Sequence, residues 1–317
     1  MGLKASLRNR PVIYEIVPPR RDTSRFNTEL RGVEEVLTDH RITAINIPEL
    51  INRREVGGQT VYSPATIPPE EYAMMIKDHK EGIVNIVAPR LEKGDLIRRA
   101  RRVLHEYKIP NLVLVGKERR EDLLPGPGAL EAIRLLNSEK GDGVALGGIC
   151  IFDRESPSGP EYGGGSAKLS EEERVSLKAE AGCDFVTSQI TFDPKPALDF
   201  LVSYQEICEE AGLDPLTVFI GLTTVSSQSI LSLLKSLDVV IPVGIQKRLT
   251  SSERMGEESV LIAAEVFEAI VEGAERSGCR VPLGLQVEQV GVNNDDLSLK
   301  LLDLTYATLK SVSLNVE

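Results

Sequence analysis

A single glutamate in an otherwise apolar, strand-like segment is the first residue whose surroundings suggest chemistry. Glu15 lies in the segment Val12–Val17, and two prolines follow that segment directly. In a strand, Glu15 shares a face with Ile13, and the prolines end the strand just beyond it. A carboxyl group buried among apolar side chains has a raised pKa, which suits a general acid. A salt bridge at the end of the strand is the alternative explanation.

Two more candidates end the next strand-like segment. Asn46 lies near the end of the β-rich run Thr43–Pro48 and Glu49 follows that run; Asn46 is placed to point inward if the run forms part of a barrel. A second carboxylate at Glu49 could hold a proton near Glu15 or orient a substrate amine. A salt bridge from Glu49 to Arg53 or Arg54 explains the residue equally well.

Polar or small residues also end two later strand-like segments. The side-chain amide of Gln189 can donate and accept hydrogen bonds, so it could bind the edge of a heterocycle such as a pterin. Gly116 stands before Lys117 at the end of the fourth segment. The glycine either lets a ligand approach backbone N–H groups or only makes the turn into a helix over Ala129–Leu136.

Eight β-rich segments alternate with helical patterns along the chain, which predicts an α/β fold. Eight such units favour a (β/α)8 TIM barrel, formed as a single domain over residues 1–317, above a doubly wound sheet. Neither the G-x-G-x-x-G turn of a Rossmann fold nor a P-loop occurs. The predicted strands are Val12–Val17, Thr43–Pro48, Ile83–Ala88, Asn111–Gly116, Val144–Ile149, Asp184–Gln189, Thr217–Gly221 and Leu283–Val287.

Local signals support several of the connecting elements. Apolar spacing predicts a helix over Asp95–Tyr107, and a capping box formed by Ser170 and Glu173 predicts the start of another. The loop Phe152–Lys168, rich in glycine and proline, follows the fifth strand at the catalytic end of a barrel. It is expected to be either an active-site lid or an ordinary surface loop.

Composition excludes several classes of function. The chain has 37 Lys and Arg against 48 Asp and Glu, a formal charge of −11, which argues against binding to nucleic acids or anionic membranes. The one basic run, Arg98–Arg102, is expected to be the solvated face of a helix. No apolar run approaches the ~18 residues that a membrane span needs.

Cysteine and histidine usage points to a reducing compartment and away from metal binding. The four cysteines form no C-x-x-C pair, and the first residues have no apolar signal-peptide core, so a cytoplasmic protein without a metal site is expected. Only three histidines are present, which leaves acid–base chemistry mainly to carboxylates, lysine or tyrosine.

Two motifs resemble those of the methylenetetrahydrofolate reductase family. Glu15–Arg20 reads Glu-Ile-Val-Pro-Pro-Arg and is similar to the first-strand motif of that family. The segment Ala181–Asp193, which contains Ser188-Gln189, resembles its sixth-strand motif. Phe219–Leu222 and Val240–Pro242 resemble the segments that follow, so the similarity extends over roughly residues 10–310 in the same order.

The resemblance implies a TIM-barrel oxidoreductase of one-carbon metabolism and methionine biosynthesis. The reaction would reduce the folate substrate 5,10-methylenetetrahydrofolate to 5-methyltetrahydrofolate with NADH or NADPH. By the resemblance, Glu15 corresponds to the proton donor, Gln189 to a residue that contacts the folate, and Lys178 to a residue that contacts the flavin phosphates. Without the resemblance, Lys178 is expected to be a solvated lysine on a helix.

Departures from the family pattern concentrate where a flavin would bind. Flavin-dependent members carry Arg-Gly-Asp after the fourth strand, where this chain has Gly116-Lys117-Glu118. The family's strand-three histidine and the aromatic residue expected near Gln228 are also missing. The pattern resembles a flavin-independent branch, so we expect no FAD. An FAD-dependent member and a non-catalytic folate- or pterin-binding partner subunit are the alternatives. The oligomeric state does not follow from the sequence.

Overall fold

A closed barrel of eight parallel strands forms the centre of the molecule and confirms the predicted (β/α)8 fold. The computed structural model describes residues 2–20, 33–56, 59–117, 124–154, 169–290 and 295–311. Around the barrel the strand order is β1-β10-β9-β8-β7-β6-β5-β2, while β3 and β4 form a separate hairpin. The strands are β1 (Val12–Glu15), β2 (Ala44–Ile47), β3 (Ile51–Val56), β4 (Gln59–Pro64), β5 (Glu81–Val87), β6 (Asn111–Val115), β7 (Ala145–Cys150), β8 (Phe185–Ile190), β9 (Thr217–Thr223) and β10 (Leu283–Glu288).

The β3–β4 hairpin is an addition that the sequence reading did not contain. It follows β2 directly and pairs antiparallel, with Ile51 opposite Pro64 and Val56 opposite Gln59. The two residues between its strands in the sequence are Gly57 and Gly58, a dipeptide typical of two-residue hairpin turns. That signal was therefore present, although the charged residues around it obscured the strands.

Helices cover the outside of the barrel and match most of the predicted ones. Ser170 accepts a hydrogen bond from the backbone N–H of Glu173, whose side chain accepts one from the backbone N–H of Ser170, so the predicted capping box is confirmed. The predicted helix over Asp95–Tyr107 consists of a helix over Lys93–Arg101 and a following π-helical turn, Arg102–Glu106. The helices are α1 (Leu3–Ser6), α2 (Glu34–Thr38), α3 (Pro69–Ile76), α4 (Lys93–Arg101), α5 (Ala129–Asn137), α6 (Glu171–Glu180), α7 (Pro194–Ala211), α8 (Gln228–Ser236), α9 (Val243–Ser251), α10 (Met255–Arg276) and α11 (Asp295–Ser311).

Two phenylalanine rings fill the barrel interior near the end at which the strands begin. Phe185 and Phe219 meet edge to face, with ring centroids 5.5 Å apart. Glycines make room for them: a Cβ at Gly147 would lie 2.5 Å from the Phe185 ring, and one at Gly284 would lie 2.5 Å from the Phe219 ring. Large rings opposite glycines keep the interior at close-packed density, so this part of the barrel is solid.

Helix α1 closes the end of the barrel at which the strands begin. Leu3 and Leu7 belong to the same buried cluster as Phe185 and Phe219. The backbone N–H of Leu3 donates to the Glu81 carboxylate at 2.9 Å, and the Thr217 hydroxyl donates to the Leu7 carbonyl at 2.7 Å. Since this end is filled, a ligand must enter where the strands end, which is the catalytic face of TIM barrels.

Replacing Gly147 with alanine should destabilise the barrel by about 1–3 kcal/mol, because the added methyl group overlaps the Phe185 ring. The free energy of unfolding from urea titration measures this loss. Gly244→Ala is the control: nothing lies within 4 Å of its Cβ position in α9, so stability should be unchanged or higher by up to about 1 kcal/mol. Equal stability of the two variants would contradict the packing described for the interior.

Candidate active site

A continuous row of polar side chains lines one half of the barrel interior above the phenylalanine rings. Its members lie on four neighbouring strands, β5, β2, β1 and β10. On β5, β2 and β1, the polar residue stands two positions after Ile83, Ala44 and Ile13, respectively. These three apolar residues belong to the buried cluster around the phenylalanine rings, so the polar residues also face inward. This polar arc consists of Asn85, Asn46, Glu15, Gln286 and Glu288.

Glu15 lies in the middle of the polar arc and has a strongly perturbed pKa. Although part of the residue remains accessible, its carboxyl group is enclosed by protein, and this burial raises its pKa to about 7. The Asn46 side-chain nitrogen donates to Oε2 of Glu15 at 2.9 Å and offsets part of the rise. Among the described residues, no Lys, Arg or His forms an ion pair with Glu15. The geometry therefore favours the general-acid interpretation over the salt bridge.

Glu288 is a second buried carboxyl group that the sequence analysis missed. It stands directly opposite Glu15 on the adjacent parallel strand β10. The Gln286 side-chain nitrogen donates to its Oε1 at 2.9 Å, which lowers its pKa, but burial and the charge of Glu15 raise that pKa well above the ordinary value. The predicted strand stopped at Val287, one residue short. The alternation of Gln286 and Glu288 with apolar neighbours was the signal that could have identified it.

Three amide oxygens in the polar arc have no hydrogen-bond partner in the described part of the chain. They are Oδ1 of Asn46, Oε1 of Gln286 and Oδ1 of Asn85, in residues that are only 2%, 3% and 7% exposed. An unsatisfied buried acceptor costs about 1–3 kcal/mol, so these oxygens favour a ligand that supplies N–H or O–H donors. Part of the opposite wall is apolar and includes Val115 and Ile149. A flat heterocycle with a donor-rich edge fits such a site.

Gln189 is the last residue but one of β8, at the end of the barrel where the strands end. Its Oε1 accepts a hydrogen bond from the backbone N–H of Ile190 at 3.0 Å, which fixes the orientation of the amide. The side-chain nitrogen of Gln189 donates to nothing among the described residues. The amide therefore retains donor capacity for a ligand, and its predicted role in folate binding stays a prediction.

Glu49 does not join the polar arc. Its Oε1 accepts from Arg99 at 2.6 Å and its Oε2 from the backbone N–H of Val87 at 2.7 Å. Arg99 also forms two hydrogen bonds, 3.0 and 2.8 Å long, with the buried carboxylate of Glu70. The structure thus supports the ion-pair explanation for Glu49, with Arg99 as the partner. The expected partners Arg53 and Arg54 have side chains outside the described residues.

The basic run on α4 is not entirely solvated, contrary to the expectation. Arg99 is only 14% exposed, because the carboxylates of Glu49 and Glu70 draw it under the rim of the barrel. Arg98, its neighbour in the sequence, is 73% exposed, and Asp95 is its only ion-pair partner in the described part of the chain. The apolar periodicity of the helix could not reveal this difference, since both carboxylates come from other elements.

Of the predicted cofactor residues, Lys178 forms contacts within the protein. Lys178 is buried, which corrects the expectation of a solvated lysine: its ammonium group donates to the Ile149 carbonyl at 2.6 Å and lies 3.9 Å from the Glu171 carboxylate. At Gly116, a Cβ would make only an ordinary 3.6 Å contact with Ala129, so packing does not require glycine there and both explanations of this residue stay predictions. Lys117 is partly buried beside it, and Glu118 lies outside the described residues.

Other parts of the described chain contribute no competing site. A depression of about 440 Å³ lies near the start of β5, beside Lys77 and Pro110, at the end of the barrel opposite to the polar arc. Within the described ranges, no group of three His, Cys, Asp or Glu residues could hold a metal ion. No helix in those ranges is long and apolar enough to span a membrane. Of the loop discussed as a lid, residues 155–168 lie outside the described part.

Comparison with known proteins supports the barrel fold. No family model and no curated protein matches the chain. An uncharacterized protein from Clostridium thermocellum that binds two copies of 5-methyl-5,6,7,8-tetrahydrofolic acid is 22% identical, with a TM-score of 0.75 over 96% of this chain and 99% of the other. A chitinase from Bacteroides thetaiotaomicron is 14% identical, with a TM-score of 0.52 over 95% and 96% of the two chains. At these identities the similarity shows the fold alone.

Removing Arg99, the cation that Glu49 and Glu70 share near the rim of the barrel, should destabilise the fold. Arg99→Met leaves the carboxylates of Glu49 and Glu70 without their counter-charge, so we expect a loss of about 3–5 kcal/mol in the free energy of unfolding. Arg98→Met is the matched control on the same helix and should change stability by no more than about 0.5 kcal/mol. Denaturant titration of both variants decides the matter. If they were equally stable, the structural role assigned to Glu49 would be wrong.

Proposed function

We propose that this chain is an NAD(P)H-dependent reductase that converts 5,10-methylenetetrahydrofolate to 5-methyltetrahydrofolate, as its resemblance to the methylenetetrahydrofolate reductase family implies. The observation that carries the proposal is Glu15, an enclosed carboxyl group with a pKa of about 7 and no cationic partner among the described residues. A pKa in this range lets both the protonated and the ionised form be reached near neutral pH. Glu15 can therefore donate a proton and ionise within one catalytic cycle.

The reaction requires such a donor. Protonation of a folate nitrogen by Glu15 lets the C–N bond of the methylene bridge break, and the remaining carbon becomes part of an electrophilic iminium ion. The nicotinamide then transfers a hydride to that carbon, so each turnover uses one NAD(P)H and one proton. An enclosed barrel mouth holds the two reacting carbons together and excludes water.

The chemistry of the polar arc suits a reduced pterin. The unpartnered oxygens of Asn46, Asn85 and Gln286 can accept hydrogen bonds from ring and amino N–H groups, while Gln189 offers a donor from another strand. The apolar wall opposite can contact the face of the ring. The similar protein from Clostridium thermocellum binds a reduced folate, which supports this class of ligand.

Hydride transfer directly from the nicotinamide is proposed here, without a flavin carrier. The resemblance assigns Lys178 to the flavin phosphates, yet its ammonium group is buried, donates to a backbone carbonyl and lies near Glu171. An internal carboxylate thus stands close to the cation that a phosphate would need, and the residues fit FAD poorly. We therefore derive no step through a flavin. The four free cysteines, all buried, suit the cytoplasm that we propose as its location.

A folate- or pterin-binding subunit without catalytic activity of its own is the second candidate. One observation favours it: the similar protein from Clostridium thermocellum binds a reduced folate. Glu15 distinguishes the two functions, because a simple binding site gains nothing from an enclosed carboxyl group without a counter-ion. Turnover by the purified chain alone, assayed anaerobically with NADH or NADPH and methylenetetrahydrofolate, separates the candidates.

Glu15→Gln should lower kcat by ~10²-fold or more, since the amide keeps the shape of the side chain but cannot donate the required proton. Binding of 5-methyltetrahydrofolate should remain, which checks that the site is intact. Glu209→Gln, at an exposed residue paired with Arg280, is the control and should leave turnover unchanged. Retention of more than about a third of the wild-type kcat in Glu15→Gln would exclude Glu15 as the acid.

The purified protein should carry no stoichiometric flavin and should follow sequential kinetics. Direct transfer requires folate and nicotinamide to be bound together, which gives intersecting double-reciprocal plots. An absorption spectrum and a two-substrate kinetic analysis provide the measurements. A flavin band at one flavin per chain, or parallel plots, would assign the protein to the flavin-dependent branch instead.

A further inference from the structure

Two inward-facing carboxyl groups stand side by side in the barrel wall. The register pairs Glu15 with Glu288 on adjacent parallel strands, so their side chains project from the same face. Neighbouring strands are about 4.8 Å apart, well within the reach of two glutamate side chains. Each carboxyl group accepts one hydrogen bond from an amide of the polar arc, Glu15 from Asn46 and Glu288 from Gln286, both at 2.9 Å.

The protein leaves space for the Glu288 carboxyl group. A Cβ at Gly221 on β9 would lie 2.6 Å from Oε1 of Glu288, so any larger residue there would displace the carboxyl group. The Thr223 hydroxyl donates to the backbone carbonyl of Glu288 at 2.7 Å and fixes the end of β10. The position of the second carboxyl group is therefore supported by its neighbours on both sides.

No charge in the described surroundings neutralises this pair. From β2 the facing group is Asn46, from β10 it is Gln286, and from β9 they are Gly221 and Thr223, none of which is charged at neutral pH. No Lys, Arg or His of the described ranges lies within ion-pair distance of either carboxyl group. Oδ1 of Asn46 and Oε1 of Gln286, both more than nine-tenths buried, stay without partners and can accept a proton-bearing group.

Two negative charges this close, in a medium that screens poorly, repel each other strongly. We propose that Glu288 is the proton-sharing partner of Glu15, and that the two carboxyl groups titrate as one unit that still holds a proton at neutral pH and above. The direction of both pKa shifts agrees with this arrangement, since burial raises both and the charge of Glu15 raises that of Glu288 further. Such a pair has apparent titration steps that belong to the unit and not to either residue.

The role in turnover rests on the proposed function. When Glu15 gives its proton to the folate nitrogen, its O–H bond breaks and an N–H bond forms, which leaves Glu15 ionised. The proton on Glu288 can then pass to Glu15, and solvent returns one proton to the pair before the next cycle. Glu288 thus acts through Glu15, as a positioning residue and not as the group that touches the substrate.

A double-mutant cycle of unfolding tests the pair without any reference to catalysis. The proteins are wild type, Glu15→Gln, Glu288→Gln and the double variant, each unfolded in urea between pH 5 and 9. A buried acid with a raised pKa binds its proton more tightly in the folded state, so its contribution to stability is greatest at low pH and is lost as the pH rises. The slope of the unfolding free energy against pH counts the extra protons held by the folded state.

If the two residues share protons, the stability of the wild type falls more steeply above pH 7 than the falls of the two single variants add up to. The slope of the double variant is first subtracted from all three slopes. Removing either carboxyl group removes the repulsion that made the other retain its proton. Additive slopes would overturn the proposal. Both substitutions keep the side-chain shape, and the double variant supplies the background from all other titrating groups.

The pH profile of kcat provides the functional test. In Glu288→Gln the alkaline limb should move to lower pH, because Glu15 no longer has a neighbour that keeps a proton available. An unchanged limb would mean that Glu288 is only structural. The two failures are distinguishable: absence of turnover by the wild-type chain refutes the proposed function but leaves the unfolding cycle able to test the pair, whereas additive slopes refute the pair and leave Glu15 as the acid.

Discussion

The absence of a counter-ion beside Glu15, in the part of the chain that the structure describes, is the constraint to which the rest of the site responds. A carboxylate enclosed by protein loses its hydration. Without a nearby cation, the neutral, protonated form is favoured and the pKa rises. Hydrogen bonds from amides moderate this effect without abolishing it, since an amide brings no net charge. The site therefore combines apolar enclosure with neutral polar groups, and that combination raises the pKa of Glu15 to about 7.

Two other carboxylates of the barrel, both largely shielded from solvent, are neutralised by a cation. Glu49 and Glu70 lie near the rim of the barrel and share Arg99, which neutralises them. Glu70 consequently has a lowered pKa, because the hydrogen bonds and charge of Arg99 outweigh its burial. Glu15 differs from these residues, because it has no cationic partner among the described residues and its pKa is raised, as suits the proton donor that we propose.

The sequence was sufficient to predict the barrel, because eight strand-like segments alternating with helices leave few other topologies. It also indicated Glu15, whose apolar neighbours make a charged residue conspicuous, and placed Asn46 on the inward face. Glu288 could not be recognised as the neighbour of Glu15, since the closure of a barrel joins its first and last strands over more than 270 residues. Long-range contacts also explain the burial of Arg99 and Lys178, which helical periodicity alone places only relative to their own helix.

The plug formed by α1 has a practical consequence for how the protein can be handled. Because Leu3 and Leu7 pack at the end of the barrel where the strands begin, Gly2 lies at the end opposite to the polar arc, next to Glu81. A surface attachment made through an N-terminal linker would therefore hold the molecule with its mouth facing the solution. Immobilised in this orientation, the barrel would stay open to small molecules delivered in flow, and a sensor chip or a packed catalyst bed could use it without blocking the entrance.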